Sequence, residues 1–234
     1  MSELKTIDMR EPSGAAALET LLKVLRSGGL MSAGGIGNTD VPQVVADILA
    51  QVKSGGDETA AKLTSQFDRA DITPANLRVP EELIAKAHAE AEPEFLALMR
   101  RAIENIRAYQ QHILVTAPPP LERGGRKLGV RYTPIERAAV YVPGGQALYP
   151  STVLMTVVPA QVAGVQEVVM VSPPTGGEIN SMALALAGEL GIREVYRLGG
   201  AVAVAAMAYG TQSIRPVDKI VGPGNAFVAE AKRQ

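Results

Sequence analysis

The sequence predicts an α/β fold, a parallel sheet preceded by a mainly helical segment, and three observations carry that prediction. From Glu136 onward four short apolar runs recur, at 138–142, 168–171, 195–198 and 219–221. Each is followed by a turn that large side chains would obstruct: Pro143-Gly144-Gly145, Ser172-Pro173-Pro174, Gly199-Gly200 and Gly222-Pro223-Gly224-Asn225. Stretches of helical pattern lie between the runs. Short strands rich in Val and Tyr that alternate with helices mark βα units in a parallel sheet. Right-handed crossovers then bring all four turns to one edge, where open α/β sheets bind nucleotides and substrates.

The elements follow in order. Leu18, Leu21, Leu22 and Leu25 share one helical face, and Gly28-Gly29 stops that helix. Val41, Val44, Val45, Ile48, Leu49 and Val52 fit the i, i+3, i+4, i+7 spacing of a second helix. Asp40 caps it, Pro42 suits its first turn, and Gly55-Gly56 ends it. Asp57 starts a shorter helix through Phe67. Pro80 opens another around Leu83, Ile84 and Ala87, and Pro93 begins a longer one carrying Phe95, Met99, Ile103, Ile106 and Tyr109. Pro118-Pro119-Pro120 is stiff and extended. Residues 127–133 and 137–142 read as two strands around the Thr133-Pro134 turn. The expected organisation is therefore a helical region at 1–113, a linker or β-hairpin at 114–136, and an incomplete Rossmann-like domain at 137–234. Within that domain Ser151 or Thr152 caps the first helix, Pro159 kinks or restarts it, and Gly164 ends it. The second helix runs over 178–189, the third from Ala201 to Ala208, and the fourth starts near Asn225.

Composition narrows the function. A formal net charge of −1 and an aromatic content of 4% without Trp give no support for a nucleic-acid partner. The chain has no Cys, which leaves no disulfide framework and no thiolate metal site. No secretory leader and no apolar run of membrane-spanning length are visible, so a cytoplasmic protein with no membrane partner is expected.

Glycine at a strand-to-helix turn lets backbone amides approach an anion, and the helix N-terminus adds favourable partial charge. Gly144, Gly145, Gly199, Gly200, Gly222 and Gly224 all have that placement, against the simpler reading that tight turns need glycine. Asn225 can face a ligand and also cap the following helix. Gly35-Ile36-Gly37 follows a helix and has Asp40 where a dinucleotide fingerprint needs its third glycine, so it reads as a loop. The two histidines, His88 and His112, lack i, i+4 partners and read as solvated or partly packed side chains. Ser151 and Thr152 have no nucleophile-elbow setting. Glu136-Arg137 and Asp218-Lys219 read as surface charge pairs worth little. A nucleotide-type cleft without an evident acid, base or metal is the result.

Several of these stretches closely resemble the histidinol dehydrogenase family: Val140-Tyr141-Val142-Pro143-Gly144-Gly145, Pro150-Ser151-Thr152-Val153-Leu154-Met155, Gly199-Gly200-Ala201, and the run from Val217 to Val228 that contains Gly222-Pro223-Gly224-Asn225-Ala226-Phe227. Glu230-Ala231-Lys232-Arg233-Gln234 and, nearer the start, Gly56-Asp57 and Phe67-Asp68 match as well. The resemblance implies a zinc- and NAD-dependent enzyme that oxidises L-histidinol through an aldehyde to L-histidine, on paired incomplete Rossmann-like domains in a homodimer. It places Tyr141 and Asn225 in contact with NAD. Val202 stands where the family usually has a Gln that helps bind NAD; one lost neutral hydrogen bond costs about 0.5–1.5 kcal/mol, up to tenfold in affinity. The family's chain continues beyond the position of Gln234 and carries its zinc ligands, its catalytic Glu-His pair and most substrate contacts there. This chain alone is expected to lack them: no catalytic and no metal residue is assigned within it. The resemblance leaves two rivals, a dehydrogenase of another small alcohol such as a sulfonated diol, and a non-catalytic nucleotide-binding or dimerisation module.

Overall fold

The computed structural model describes residues 7–26, 40–144 and 149–234. Gly28-Gly29, Gly35-Ile36-Gly37 and Gly145 lie outside the described residues. The chain divides into two compact units, Met1–Val44 and Val45–Gln234. In the first, α1 spans Pro12–Arg26, and the Asp40 carboxylate accepts from the Gln43 amide at 3.2 Å to open α2, Val41–Asp68.

α2 is two helices in tandem. Gly56, at φ 57° and ψ −139°, breaks the helical path where the glycine pair predicts a stop. A side chain at Gly56 would collide with Gln212, whose Oε1 accepts from the Asp57 amide at 2.7 Å and so caps the second half. Helices α3 (Glu81–Glu90) and α4 (Pro93–His112) follow, both opened by proline as their sequences predict.

The segment after α4 departs from expectation. The strand expected at 127–133 is cut to β2 (Arg126–Leu128), which pairs antiparallel with β1 (Leu121–Arg123) instead of standing before a turn at Thr133-Pro134. Gly124 and Gly125, at φ 58° and 71°, supply the two left-handed positions that a tight hairpin turn requires.

From Arg137 the chain alternates: β3 (Arg137–Tyr141), α5 (Pro150–Val162), β4 (Glu167–Ser172), α6 (Ser181–Glu189), β5 (Glu194–Arg197), α7 (Gly200–Tyr209), β6 (Lys219–Val221), α8 (Ala226–Arg233). The four strands are parallel in the order β5-β4-β3-β6. This α/β architecture is the one the βα repeat predicts. Val140, Met170 and Val195 stand in register and face one side, where they pack with Val153, Leu154 and Leu186 of α5 and α6. Ile84 of α3 and Ile103 of α4 close that core from outside. Alternation turns Ala139, Tyr141 and Val171 to the opposite face. The β5-to-β6 connection crosses the sheet in the reverse sense, so right-handedness puts α7 on that second face. α7 is accordingly apolar almost throughout, with residues 201–207 buried.

Details correct the local reading. α5 is continuous through Pro159, which costs one bond to the Met155 carbonyl but does not stop the helix. Its N-cap position is Tyr149, so Ser151 and Thr152 lie inside the first turn and cap nothing. α6 starts at Ser181, three residues later than its pattern suggests, because Glu178 bridges to Thr175 and the Asn180 side chain accepts from the Met182 and Ala183 amides. An extended segment through Arg78 covers the edge of β5, with the Val79 amide on the Val195 carbonyl and the Arg197 amide on the Leu77 carbonyl, both at 2.8 Å.

Of the four strand-start charges Glu136, Asp218 and Lys219 are exposed as expected, but Arg137 is not at the surface. Arg137 is 4% exposed and bonds Glu167 at 2.6 Å and Glu194 at 2.8 Å. Asp218 accepts from the backbone amides of Glu136 and Arg137, both at 3.0 Å, and so stitches the start of β6 to the start of β3. The chemical need is plain: a guanidinium drawn into the sheet must be neutralised there. No helix among the described residues is long and apolar enough to cross a membrane.

Candidate functional site

Parallel pairing sends all four glycine- or proline-rich turns to the carboxyl edge of the sheet. The strand order reverses there between β3 and β6, the switch point at which open α/β sheets leave a crevice. A cleft of about 260 Å³ opens on this edge beside Val142, Pro143, Gly144, Ser172, Pro173 and Asn180.

The glycines divide into two sorts. Gly144 lets the turn after β3 approach the next one, since a Cβ there would stand 2.5 Å from the Pro173 carbonyl oxygen. Gly222, at φ 118°, lies against Tyr141, and a Cβ would collide with the Tyr141 carbonyl. Both are required by chain packing on chain. Gly200, at φ 56°, differs: nothing lies within 4 Å of where its side chain would be. It opens onto free space at the start of α7. Gly224 would strike Val228 in the first turn of α8.

Tyr141 ends β3 and is 5% exposed, yet its hydroxyl reaches the rim and accepts from the Gly200 amide at 3.2 Å. Burial pushes that hydroxyl above the ordinary tyrosine value, so it is neutral and keeps a proton to donate. Asn225 is exposed and caps α8, its Oδ1 accepting from the Val228 amide at 3.1 Å. The cap uses the oxygen alone and leaves the Nδ2 hydrogens for a ligand. Lys232, in the last turn of α8, folds back to the Gly222 carbonyl at 2.7 Å, and burial holds its ammonium below the ordinary lysine value. The β6–α8 turn thus combines glycine backbone, a helix N-terminus and a cation, the ingredients of an anion site. Val202 is 1% exposed, enclosed in the first turn of α7.

One residue at the rim carries no role in the sequence reading. Asp68, the last residue of α2, places its Oδ2 3.1 Å from the Cβ position of Gly199, which also touches Pro173. Burial pushes its carboxyl up to about 6. The available signal is an acid at a helix C-terminus, the end where the dipole disfavours it. His88 and His112 stand apart from the rim; the His88 Nε2 lies 2.8 Å from Glu189, which also holds Arg100. Among the described residues no three His, Asp or Glu side chains gather in a set that could hold a metal ion.

Comparisons with known proteins agree with this geometry. The sequence model described as histidinol dehydrogenase matches residues 33–234. The chain is 47% identical to a histidinol dehydrogenase of Rhodopirellula baltica, over 98% of this chain and 53% of that protein. It is 44% identical to one of Cereibacter sphaeroides, over 97% of this chain and 50% of that one. The crystal structure of histidinol dehydrogenase from Elizabethkingia anophelis superposes with a TM-score of 0.78 at 33% identity, covering 83% of this chain and 45% of that one. The chain spans about half the length of these relatives. With a family match over most of its length, the chain belongs to the histidinol dehydrogenase family.

Proposed function

We propose that this chain supplies the NAD-binding part of a histidinol dehydrogenase, in which L-histidinol is oxidised through the aldehyde to L-histidine. The observation that supports the reading is the convergence of the four turns at the carboxyl edge of the sheet, where the strand order reverses at β3 and where Tyr141 and Asn225 both stand. The residues present suit a dinucleotide. The β6–α8 turn offers amides and Lys232 to a pyrophosphate, Asn225 offers an amide donor, and Gly200 leaves room for the ligand. Bound NAD would accept hydride from the alcohol carbon.

The chain's own part is binding and orientation. Tyr141 and Asn225 orient the ligand at this edge, and Val142 and Pro143 give the cleft beside it an apolar wall. Removal of the alcohol proton needs a base, and polarisation of its oxygen needs a metal or an equivalent donor. On the family resemblance, zinc and the catalytic acid–base groups are assigned to the part of the relatives' length that this chain does not match. The family resemblance further supports a homodimer acting on a histidinol-like small molecule in the cytoplasm.

Calorimetric titration with NAD, paired with an activity assay, tests the reading. Weak saturable binding is expected, with no sustained NADH formation from histidinol and zinc by this chain alone. An absence of heat at millimolar NAD overturns the cofactor reading, and steady NADH formation overturns the division of labour.

A further inference from the structure

Resting on the dinucleotide reading above, we infer that Asp68 accepts hydrogen bonds from the hydroxyls of the adenosine ribose and thereby makes the site select NAD over its 2′-phosphorylated counterpart. Four observations converge. The carboxylate stands at the carboxyl rim against Gly199, between the ends of β4 and β5, with Pro173 beside it. Nucleotide-binding α/β domains put an acid for the ribose near the end of their second strand. The matching turn here, Ser172-Pro173-Pro174, holds no acid, and Glu178 beyond it is paired with Arg197 at 2.8 Å. Asp68 is delivered to that place from outside the sheet.

Its surroundings say what it is for. No described residue donates a hydrogen bond to the Asp68 carboxylate or forms an ion pair with it. The one titratable side chain that acts on it across the rim is Tyr141, which is neutral. Burial raises the cost of its charge, as the upward shift to about 6 records. A half-buried carboxylate without donors is an incomplete arrangement that a polyol would complete. A phosphate would not: it would meet like charge, and the Gly200 amide that could have received it is already given to Tyr141. The chain also bends to hold Asp68 there, since Arg69, next in sequence, is the one described non-glycine residue at positive φ, 51°. The Gly199–Gly200 turn therefore suits the sugar, and the β6–α8 turn, with Lys232, suits the pyrophosphate.

The test compares the 234-residue chain with its D68N and D68A variants by calorimetric titration, using NAD, NADP and the 2′-deoxyadenosine analogue of NAD. The wild type is expected to bind NAD at least tenfold more tightly than NADP. D68A is expected to lose about ten- to a hundredfold in NAD affinity, the range for a hydrogen bond to a charged group, and to lose most of its discrimination against NADP. D68N, near in size and without the charge, is expected to keep the fold with an unchanged or higher melting temperature while showing the same narrowed preference. The 2′-deoxy analogue should bind wild type and D68A nearly alike, a coupling that a purely structural role would not produce. Wild type that binds NAD, with D68N and D68A retaining its full preference, overturns this inference and leaves the dinucleotide reading standing. Wild type that binds no dinucleotide overturns both.

Discussion

Asp68 opposes the fold it belongs to. A carboxyl whose value rises from 3.8 to about 6 on folding holds its proton more tightly in the native state. Stability therefore falls as pH rises through that window and levels off above it. The side chain is only half-buried, so solvent screening limits the loss to about 1–2 kcal/mol. Denaturant titrations between pH 3.5 and 7 should show this slope in the wild type, and D68N should flatten it. Val202 makes the complementary case. Returning a Gln there is expected to raise NAD affinity by up to about tenfold, measured calorimetrically, while lowering the melting temperature because an amide enters a closed apolar layer. Neither effect can be read from residue type alone. Asp68 is an ordinary helix-end acid until Gly199 is brought against it from 131 positions away (199 minus 68).

Strands and turns were legible where one residue pattern dictated them. The apolar runs beginning at Ala138, Val168, Val195 and Lys219 alternate with helices and end in glycine- or proline-rich turns, so β3 to β6 follow directly. Gly56 likewise marks the break inside α2. The reading failed where distant partners decide. Arg137 looked like a solvated charge because its partners, Glu167 and Glu194, lie on β4 beside it and on β5 one strand further. The residues at 129–133 looked like a strand because nothing local shows that Gly124-Gly125 folds Leu121 onto Leu128 first. Arg137 also yields a sharp expectation. R137M removes the one buried cation between two carboxylates, and breaking such a pair costs about 3 kcal/mol. Urea denaturation should show that loss, with a smaller one for E167Q, whose carboxylate is 39% exposed and is also held by Arg215.

Taken as a whole, the polypeptide spans about half the length of its relatives. Val115, Leu121, Leu128, Val130 and Tyr132 are each more than half exposed. Leu121 and Leu128 stand opposite each other on the hairpin, exposed apolar side chains promote association, and sedimentation at rising concentration should reveal self-association that Lys at Leu121 and Leu128 diminishes. The seam between β3 and β6 is better defined. β3 and β6 are fastened twice, by the Asp218 carboxylate at their beginnings and by the Gly222 backbone lying on Tyr141 at their ends. Two strands clamped top and bottom cannot slide or splay. The rim they carry is therefore a fixed platform, and a guest that arrives there meets a seam that does not rearrange.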